Sequence, residues 1–99
     1  MAGKQADQTL YVIAYDIPND QRRTKVLKTL RGFGQWTQYS VFECELKPED
    51  LDRLIKQLRR LVKVKEDQIR YYPLCQSCVS KALVVGTGSL TKVEPFKIV

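Results

Sequence analysis

The stretch from Thr9 to Asp16, TLYVIAYD, predicts a buried β-strand that ends on a single acidic residue. Residues 9–15 are apolar or β-favouring, and the turn sequence Ile17-Pro18-Asn19-Asp20 follows them, as is typical of a strand that leaves a sheet. Because the apolar residues run almost continuously, we expect both faces of the strand to be covered. The ionised carboxylate of Asp16 then needs water, a cation or a hydrogen-bond donor. Asp16 is either a metal ligand or a turn residue, and the stretch itself leaves both open.

The length of the chain, 99 residues, predicts one domain with an adequate but small core, which self-association would help to bury. We expect a flexible polar tail at residues 1–8, a folded domain at residues 9–86 and a C-terminal strand segment at residues 87–99. The tail lacks a signal-peptide core, and no apolar run approaches the roughly 20 residues of a membrane span. The expected location is therefore the cytoplasm, without a membrane partner.

Charge and residue usage restrict the possible chemistry. Seventeen Lys and Arg against eleven Asp and Glu give a formal charge of +6, which favours a polyanionic partner such as a nucleic acid. The chain has no histidine, which excludes histidine general bases, Ser-His and Cys-His nucleophile pairs, and zinc sites that need imidazole.

The three cysteines form no even disulfide framework, in agreement with a reducing compartment. Cys75 and Cys78 form one C-x-x-C pair, which is half of a structural zinc site. A redox pair would stand at a helix N-terminus after a strand. Here an apolar run follows the pair, so we expect a connecting loop with no role in chemistry.

A basic helix is predicted after the first strand, with Asn19 or Asp20 as its cap and glycines at its end. Its apolar residues keep helical spacing, and its other faces carry bases with no acid after Asp20. Such a face favours an anionic partner. The bases, which we expect to contact nucleic-acid phosphates, are Arg22, Arg23, Lys25, Lys28 and Arg31.

The remaining elements complete an α+β plan. Residues 35–46 predict a second β region, with Trp36 and Tyr39 adding to its apolar weight and a bulge or tight hairpin near residue 40. Tyr15, Tyr39 and Phe42 are interpreted as core or interface aromatics, with base stacking as the alternative role. A strongly amphipathic helix starts near Pro48, and residues 68–74 and 79–85 predict further strands. If the second β region holds two strands, the order is βαββαβ, the ferredoxin-like plan, with an additional C-terminal strand.

Two segments together resemble a known family. A hydrophobic strand that ends in Tyr15-Asp16, followed by a basic helix and then QYSVFE at residues 38–43, is similar to CRISPR-associated protein two, the small subunit of the spacer-acquisition machinery. The likeness covers roughly residues 9–86 and includes the strand end Tyr72-Pro73-Leu74.

The resemblance implies a homodimer in which the terminal strand packs on the partner's sheet. Asp16 would face its symmetry copy across the dimer axis and hold magnesium, with manganese as the alternative metal. Family members are described as metal-dependent endonucleases for single-stranded RNA or duplex DNA, and the dimer bridges integrase subunits on the protospacer duplex. Tyr15, Arg23 and Phe42 match family positions near that site. Asp20 is expected to cap the helix or to act beside the metal ligands.

Two functions of different class follow. The first is a magnesium-dependent endonuclease in which paired Asp16 residues hold the metal and act in catalysis. The second is a non-catalytic, DNA-binding scaffold that bridges integrase subunits, for which Asp16 is dispensable. A third hypothesis, an RNA-binding ferredoxin-like module unrelated to CRISPR, is weakened because the aromatic RNP1 pattern is missing.

Overall fold

The main sheet has four antiparallel strands. The computed structural model describes residues 8–81, 83–84 and 97–98 of the chain. The strands of this sheet are β1 (Thr9–Asp16), β2 (Gln35–Gln38), β3 (Val41–Leu46) and β4 (Gln68–Leu74). The helices are α1 (Asp20–Arg31), α2 (Pro48–Leu61) and the short α3 (Gln76–Ser80). None of the helices in these ranges is long and apolar enough to cross a membrane.

The strands lie in the order β2-β3-β1-β4, with α1 and α2 as the two crossovers, so the predicted ferredoxin-like βαββαβ fold is confirmed. The strand β1 is central and pairs with β3 on one side and with β4 on the other. Pro73 lies on β4, an edge strand, where its missing N–H costs no ladder hydrogen bond. The hairpin expected near residue 40 joins β2 and β3, with a register shift between Trp36 and Gln38.

The hydrophobic core lies between the helices and one face of the sheet. Ile13 of β1 and Phe42 of β3 stand opposite each other in the register and are fully buried. They meet side chains from the apolar stripes of α1 and α2, which helical spacing places on one face of each helix. The fully buried helix residues are Val26, Leu30 and Leu54, with Leu58 close to fully buried.

The second face of the sheet is only partly covered, contrary to the expectation of two covered faces for β1. Successive side chains of a strand point to opposite faces, so Val12, Ala14 and Asp16 lie on the face away from Ile13. Val12 and Ala14 are half-buried and Asp16 is exposed. The near-continuous apolar run of β1 therefore contains side chains of two different faces, one covered by the helices and one open. We call the second of these the open sheet face.

The segment after β4 differs from the predicted loop and strand. Residues 76–80 form α3, so Val79 and Ser80 are helical, and a strand follows only at Leu83–Val84. The cause is local: the Cys75 thiol caps the helix by accepting a hydrogen bond from the Cys78 backbone N–H at 3.4 Å. The pair thus stands at the N-terminus of a one-turn helix instead of in a loop.

A short strand, β6 (Lys97–Ile98), pairs in parallel with β5 (Leu83–Val84) in a second sheet. An additional C-terminal strand is therefore present. The rest of the predicted segment 87–99 lies outside the described residues, and its docking on a partner subunit stays a prediction.

Candidate nucleic-acid interface and carboxylate site

Asp16 is an exposed carboxylate at the end of the central strand. It stands opposite Gln68 of β4 and on the same face as Val12 and Ala14, at the end of the open sheet face. No ion pair or hydrogen bond occupies its side chain within the described part of the chain. The carboxylate oxygens therefore remain available to water or to a cation.

The oxygen ligands around Asp16 in one chain make up only half of a magnesium site. Magnesium takes oxygen ligands, keeps several waters and needs as few as one or two carboxylates. One chain supplies Asp16, and no group of three or more Asp, Glu, Cys or His residues that could hold a metal exists among residues 8–81 and 83–84. A second copy of the chain would be needed to provide a second carboxylate.

The turn after Asp16 is held by residues at the start of α1. The Asn19 side chain caps the helix, because its Oδ1 accepts a hydrogen bond from the Arg22 backbone N–H at 2.9 Å. The Arg23 guanidinium donates to the carbonyl of Ile17 at 2.8 Å and forms an ion pair with Asp20. Arg23 and Asp20 therefore fix the path of the chain that leaves the carboxylate.

Arg22 links α1 to the loop before β4. Its Nε donates to Asp67 Oδ2 at 2.8 Å and its Nη2 to Glu66 Oε1 at 2.9 Å. The Lys63 backbone N–H also donates to Asp67, whose side chain is fully buried. The Arg22 guanidinium lowers the pKa of the Asp67 carboxyl. Since two carboxylates offset its charge, Arg22 has a structural role within the chain, and whether it also contacts nucleic acid stays a prediction.

The other three predicted bases of α1 form an exposed ridge. Lys25, Lys28 and Arg31 follow one another at intervals of three residues, and all three are exposed. We call them the basic ridge. Residues three apart are neighbours on a helix surface, so the ridge presents closely spaced positive charge to an anionic partner.

Tyr15 and Phe42 belong to the core. Their side chains lie on the helix-covered face, at exposed fractions of 7% and 0%, with ring centroids 6.4 Å apart. Burial raises the pKa of the Tyr15 phenol, and the nearby Ser40 side chain partly offsets this effect. Tyr15 and Asp16 are adjacent in sequence but point to opposite faces of β1, so the two side chains cannot act on one substrate atom.

An open groove between α1 and the edge strand β2 brings together Tyr39, whose alternative role is base stacking, and Trp36, which the sequence did not single out for binding. Trp36 and Tyr39, which were expected to add apolar weight to the second β region, are 53% and 85% exposed and lie on its rim. The groove, with a volume of about 430 Å³, is called the aromatic groove below. Its lining residues are Tyr15, Arg23, Thr24, Leu27, Arg31, Trp36, Tyr39 and Ser40.

Residues 9–82 match the protein family described as CRISPR associated protein Cas2. The chain belongs to the Cas2 family. The resemblance carried by Tyr15-Asp16 and QYSVFE at residues 38–43 is thereby confirmed.

Two curated relatives show the extent of the likeness. The chain is 47% identical over 83 residues to "CRISPR-associated endoribonuclease Cas2 3" of Synechocystis sp., a match that covers 84% of this chain and 90% of that protein. It is 37% identical over 89 residues to "CRISPR-associated endonuclease Cas2 2" of Thermus thermophilus, covering 90% of this chain and 94% of the relative. The likeness therefore spans nearly whole Cas2 proteins.

Two solved structures share the fold. A protein of Thermus thermophilus, described as hypothetical protein TT1823, is 40% identical and superposes with a TM-score of 0.74 over 84% of this chain and 96% of its own. A chain of a partial Cas6-RT-Cas1–Cas2 complex is 28% identical, with a TM-score of 0.65 over 75% of this chain and 81% of its own. The ferredoxin-like sheet with two crossover helices is thus shared with both of these structures.

Proposed function

We propose that this chain is a CRISPR adaptation protein: a homodimeric, magnesium-dependent endonuclease for single-stranded RNA, duplex DNA or both, which acts in spacer acquisition with the CRISPR integrase. Family membership, relatives named as endoribonuclease and endonuclease, and a structural neighbour taken from a complex with Cas1 support the proposal. The observation that carries it is the position of Asp16, an unpaired, exposed carboxylate at the end of the open sheet face.

The open sheet face is the surface that we propose for dimerisation. Val12 and Ala14 form a half-buried apolar strip along β1, and Tyr72, 46% exposed, extends it on β4 opposite Val12. A two-fold interface uses the same patch on both subunits. With an axis passing close to the end of β1, the two Asp16 carboxylates would face each other and could share one cation.

Different residues of the chain would then have different roles in binding and cleavage. Asp16 would supply oxygen ligands from each subunit, and Arg23 would keep the turn in place through its hydrogen bonds to the Ile17 carbonyl and to Asp20. The basic ridge would bind phosphates and position the strand. The metal, when bound, supplies a water of lowered pKa and stabilises charge on the phosphate.

The nuclease proposal is tested by Asp16→Asn, which keeps the size of the side chain and removes its charge. The charge-matched control is Asp52→Asn, since Asp52 is exposed on α2. Cleavage of single-stranded RNA and of duplex DNA is measured with magnesium and with a chelator. We expect Asp16→Asn to lose at least about 100-fold in rate, because loss of residues that merely support a metal ligand costs about 10–100-fold. Equal cleavage by Asp16→Asn and Asp52→Asn would refute the role of Asp16.

A second candidate function, the non-catalytic scaffold, is favoured by the basic ridge. In a dimer, two ridges would present six cations and no acid from within the ridge itself. If all six contact phosphates, the logarithm of the duplex association constant would fall with the logarithm of salt concentration at a slope of about −5. Replacing Lys25, Lys28 and Arg31 by glutamine would remove most of this slope. Spacer acquisition that persists in Asp16→Asn would leave the scaffold as the biological role.

A further inference from the structure

The aromatic groove is an open depression on the helix side of the sheet. Arg23, Leu27 and Arg31 follow one another at intervals of four residues and form its α1 wall. Trp36 of β2 and the buried Tyr15 of β1 also line the groove. The volume of about 430 Å³ lies within the range of pockets that hold small molecules and nucleotides. It faces away from the open sheet face and from Asp16.

The two aromatic side chains of the rim are held in place and exposed. The Trp36 indole Nε1 donates a hydrogen bond to the Tyr39 carbonyl at 2.7 Å, which fixes the indole against the hairpin turn. Tyr39 itself has φ +44°, a left-handed conformation that is unfavourable for a bulky residue. A strained backbone that exposes 85% of a tyrosine points to a functional surface.

The charge of the groove is positive. Its lining contains two arginines and no carboxylate. Arg23 is engaged with the Ile17 carbonyl and with Asp20, so its guanidinium is occupied. Arg31 is exposed and continues the basic ridge into the groove, which makes it the group available to a phosphate.

From this juxtaposition we propose that the aromatic groove binds an unpaired nucleotide, with the base stacked against Trp36 and Tyr39 and the phosphate contacted by Arg31. Every base offers a flat π-face, whereas bases inside a blunt duplex are covered by their neighbours, so the groove selects single-stranded segments or overhangs. The inference rests on the proposed function in that the partner is a nucleic acid. It adds the place where unpaired bases bind, a second contact surface beyond the basic ridge.

Trp36 is the one tryptophan in the sequence and serves as an internal fluorescent reporter. The probes are a blunt 20-base-pair duplex, the same duplex with five unpaired thymidines at each 3′ end, and a 15-nucleotide oligothymidine. Binding is measured by anisotropy of labelled probes and by Trp36 emission. We expect the overhang duplex to bind about tenfold or more tightly than the blunt duplex, and only probes with unpaired bases to quench Trp36.

Two substitutions test the contribution of the Tyr39 ring and that of the Arg31 charge separately. Tyr39→Gly removes the ring and retains the turn, because glycine adopts φ +44° without strain. It should abolish the tenfold preference and leave blunt-duplex affinity unchanged. Arg31→Gln should weaken the overhang probe more than Arg60→Gln does, a control at an exposed base on α2.

Each contrary result has a defined meaning. Equal binding of blunt and overhang duplexes, with Trp36 emission unchanged, would overturn the groove proposal and leave the proposed function standing. Failure to bind any of the three probes would overturn the groove proposal and the duplex-DNA part of the proposed function, and the single-stranded RNA part would stand. If Tyr39→Gly changed the oligomeric mass in solution and left the overhang preference intact, the groove would be a protein contact and the nucleotide proposal would be wrong.

Discussion

Replacing Gly34 by alanine should destabilise the protein strongly, because this glycine lies directly against β3. A Cβ atom at Gly34 would come within 2.4 Å of Cys44 Sγ and of the Glu43 carbonyl oxygen, and within 2.8 Å of Cys44 Cα. Ordinary contact begins near 3.4 Å. The backbone of β3 would therefore have to move by about 1 Å in a close-packed interior.

Overpacking of this kind costs about 3 kcal/mol when a backbone must shift. For a domain of this size, such a loss lowers Tm by roughly 12–24 °C. Because Gly34 directly precedes β2, the shift would also misplace Trp36. We therefore expect Gly34→Ala to lose the overhang preference measured by fluorescence, at a temperature where circular dichroism shows that it is still folded.

Gly32→Ala is the matched control for this substitution. A Cβ atom there would meet only the Thr29 carbonyl oxygen, at 3.3 Å, and the backbone at φ −77° suits alanine. Its Tm should lie within about 4 °C of the wild type. The reasoning would be refuted if Gly34→Ala, measured by thermal denaturation at equal protein concentration, melted as close to the wild type as the control does.

Three further predictions concern stability and thiol chemistry. The Arg22 guanidinium lowers the pKa of Asp67, so the stability that this pair contributes is present above the ordinary carboxyl pKa of 3.8 and lost as pH falls through the lowered value. Asp67→Asn should therefore lower Tm at pH 7, and its difference from the wild type should shrink towards pH 3. Phe42→Ala, at a fully buried position, should cost about 3–5 kcal/mol in denaturant titration. Iodoacetamide at pH 7.5 should alkylate Cys75, whose pKa the Cys78 N–H lowers, before buried Cys44, whose pKa burial raises to about 11.

A specific result would contradict each of these three predictions. A Tm difference for Asp67→Asn that stays constant between pH 7 and pH 3 would contradict the ion-pair account. A loss below about 1 kcal/mol for Phe42→Ala would show that the site collapses around the cavity. Peptide mass spectrometry that found Cys44 alkylated as fast as Cys75 would show that β3 opens readily.

Local patterns in the sequence were sufficient for most of the elements. The strands β1 and β4 and the start of α1 lie where residue pattern and capping chemistry placed them, because apolar period, Asn19 and the glycines after Arg31 act over a few residues. A strand was predicted at residues 79–85 because these residues favour β structure, whereas residues 76–80 form a helix. The Cys75 thiol caps this helix, and a thiol is a weak acceptor that capping patterns in sequences rarely include. Asp16 was found because it ends a strand.

Only the tertiary structure shows which of several chemically similar residues are free to contact a partner. Arg22 and Arg31 lie on one basic helix, yet only the arrangement of α1 beside the loop before β4 places Asp67 and Glu66 on Arg22 and leaves Arg31 exposed. Trp36 is a large apolar residue of the kind that usually lies in a core, but it is exposed because β2 is an edge strand.

The sequence by itself determined the elements and the acidic end of β1, since these depend on neighbours within one turn or one strand. The sheet order decided that Asp16 lies on the open face and that Trp36 and Tyr39 line a groove on the other. Strand order depends on contacts between residues far apart in the chain, such as Ile13 with Phe42 and Tyr71. No local pattern encodes those contacts.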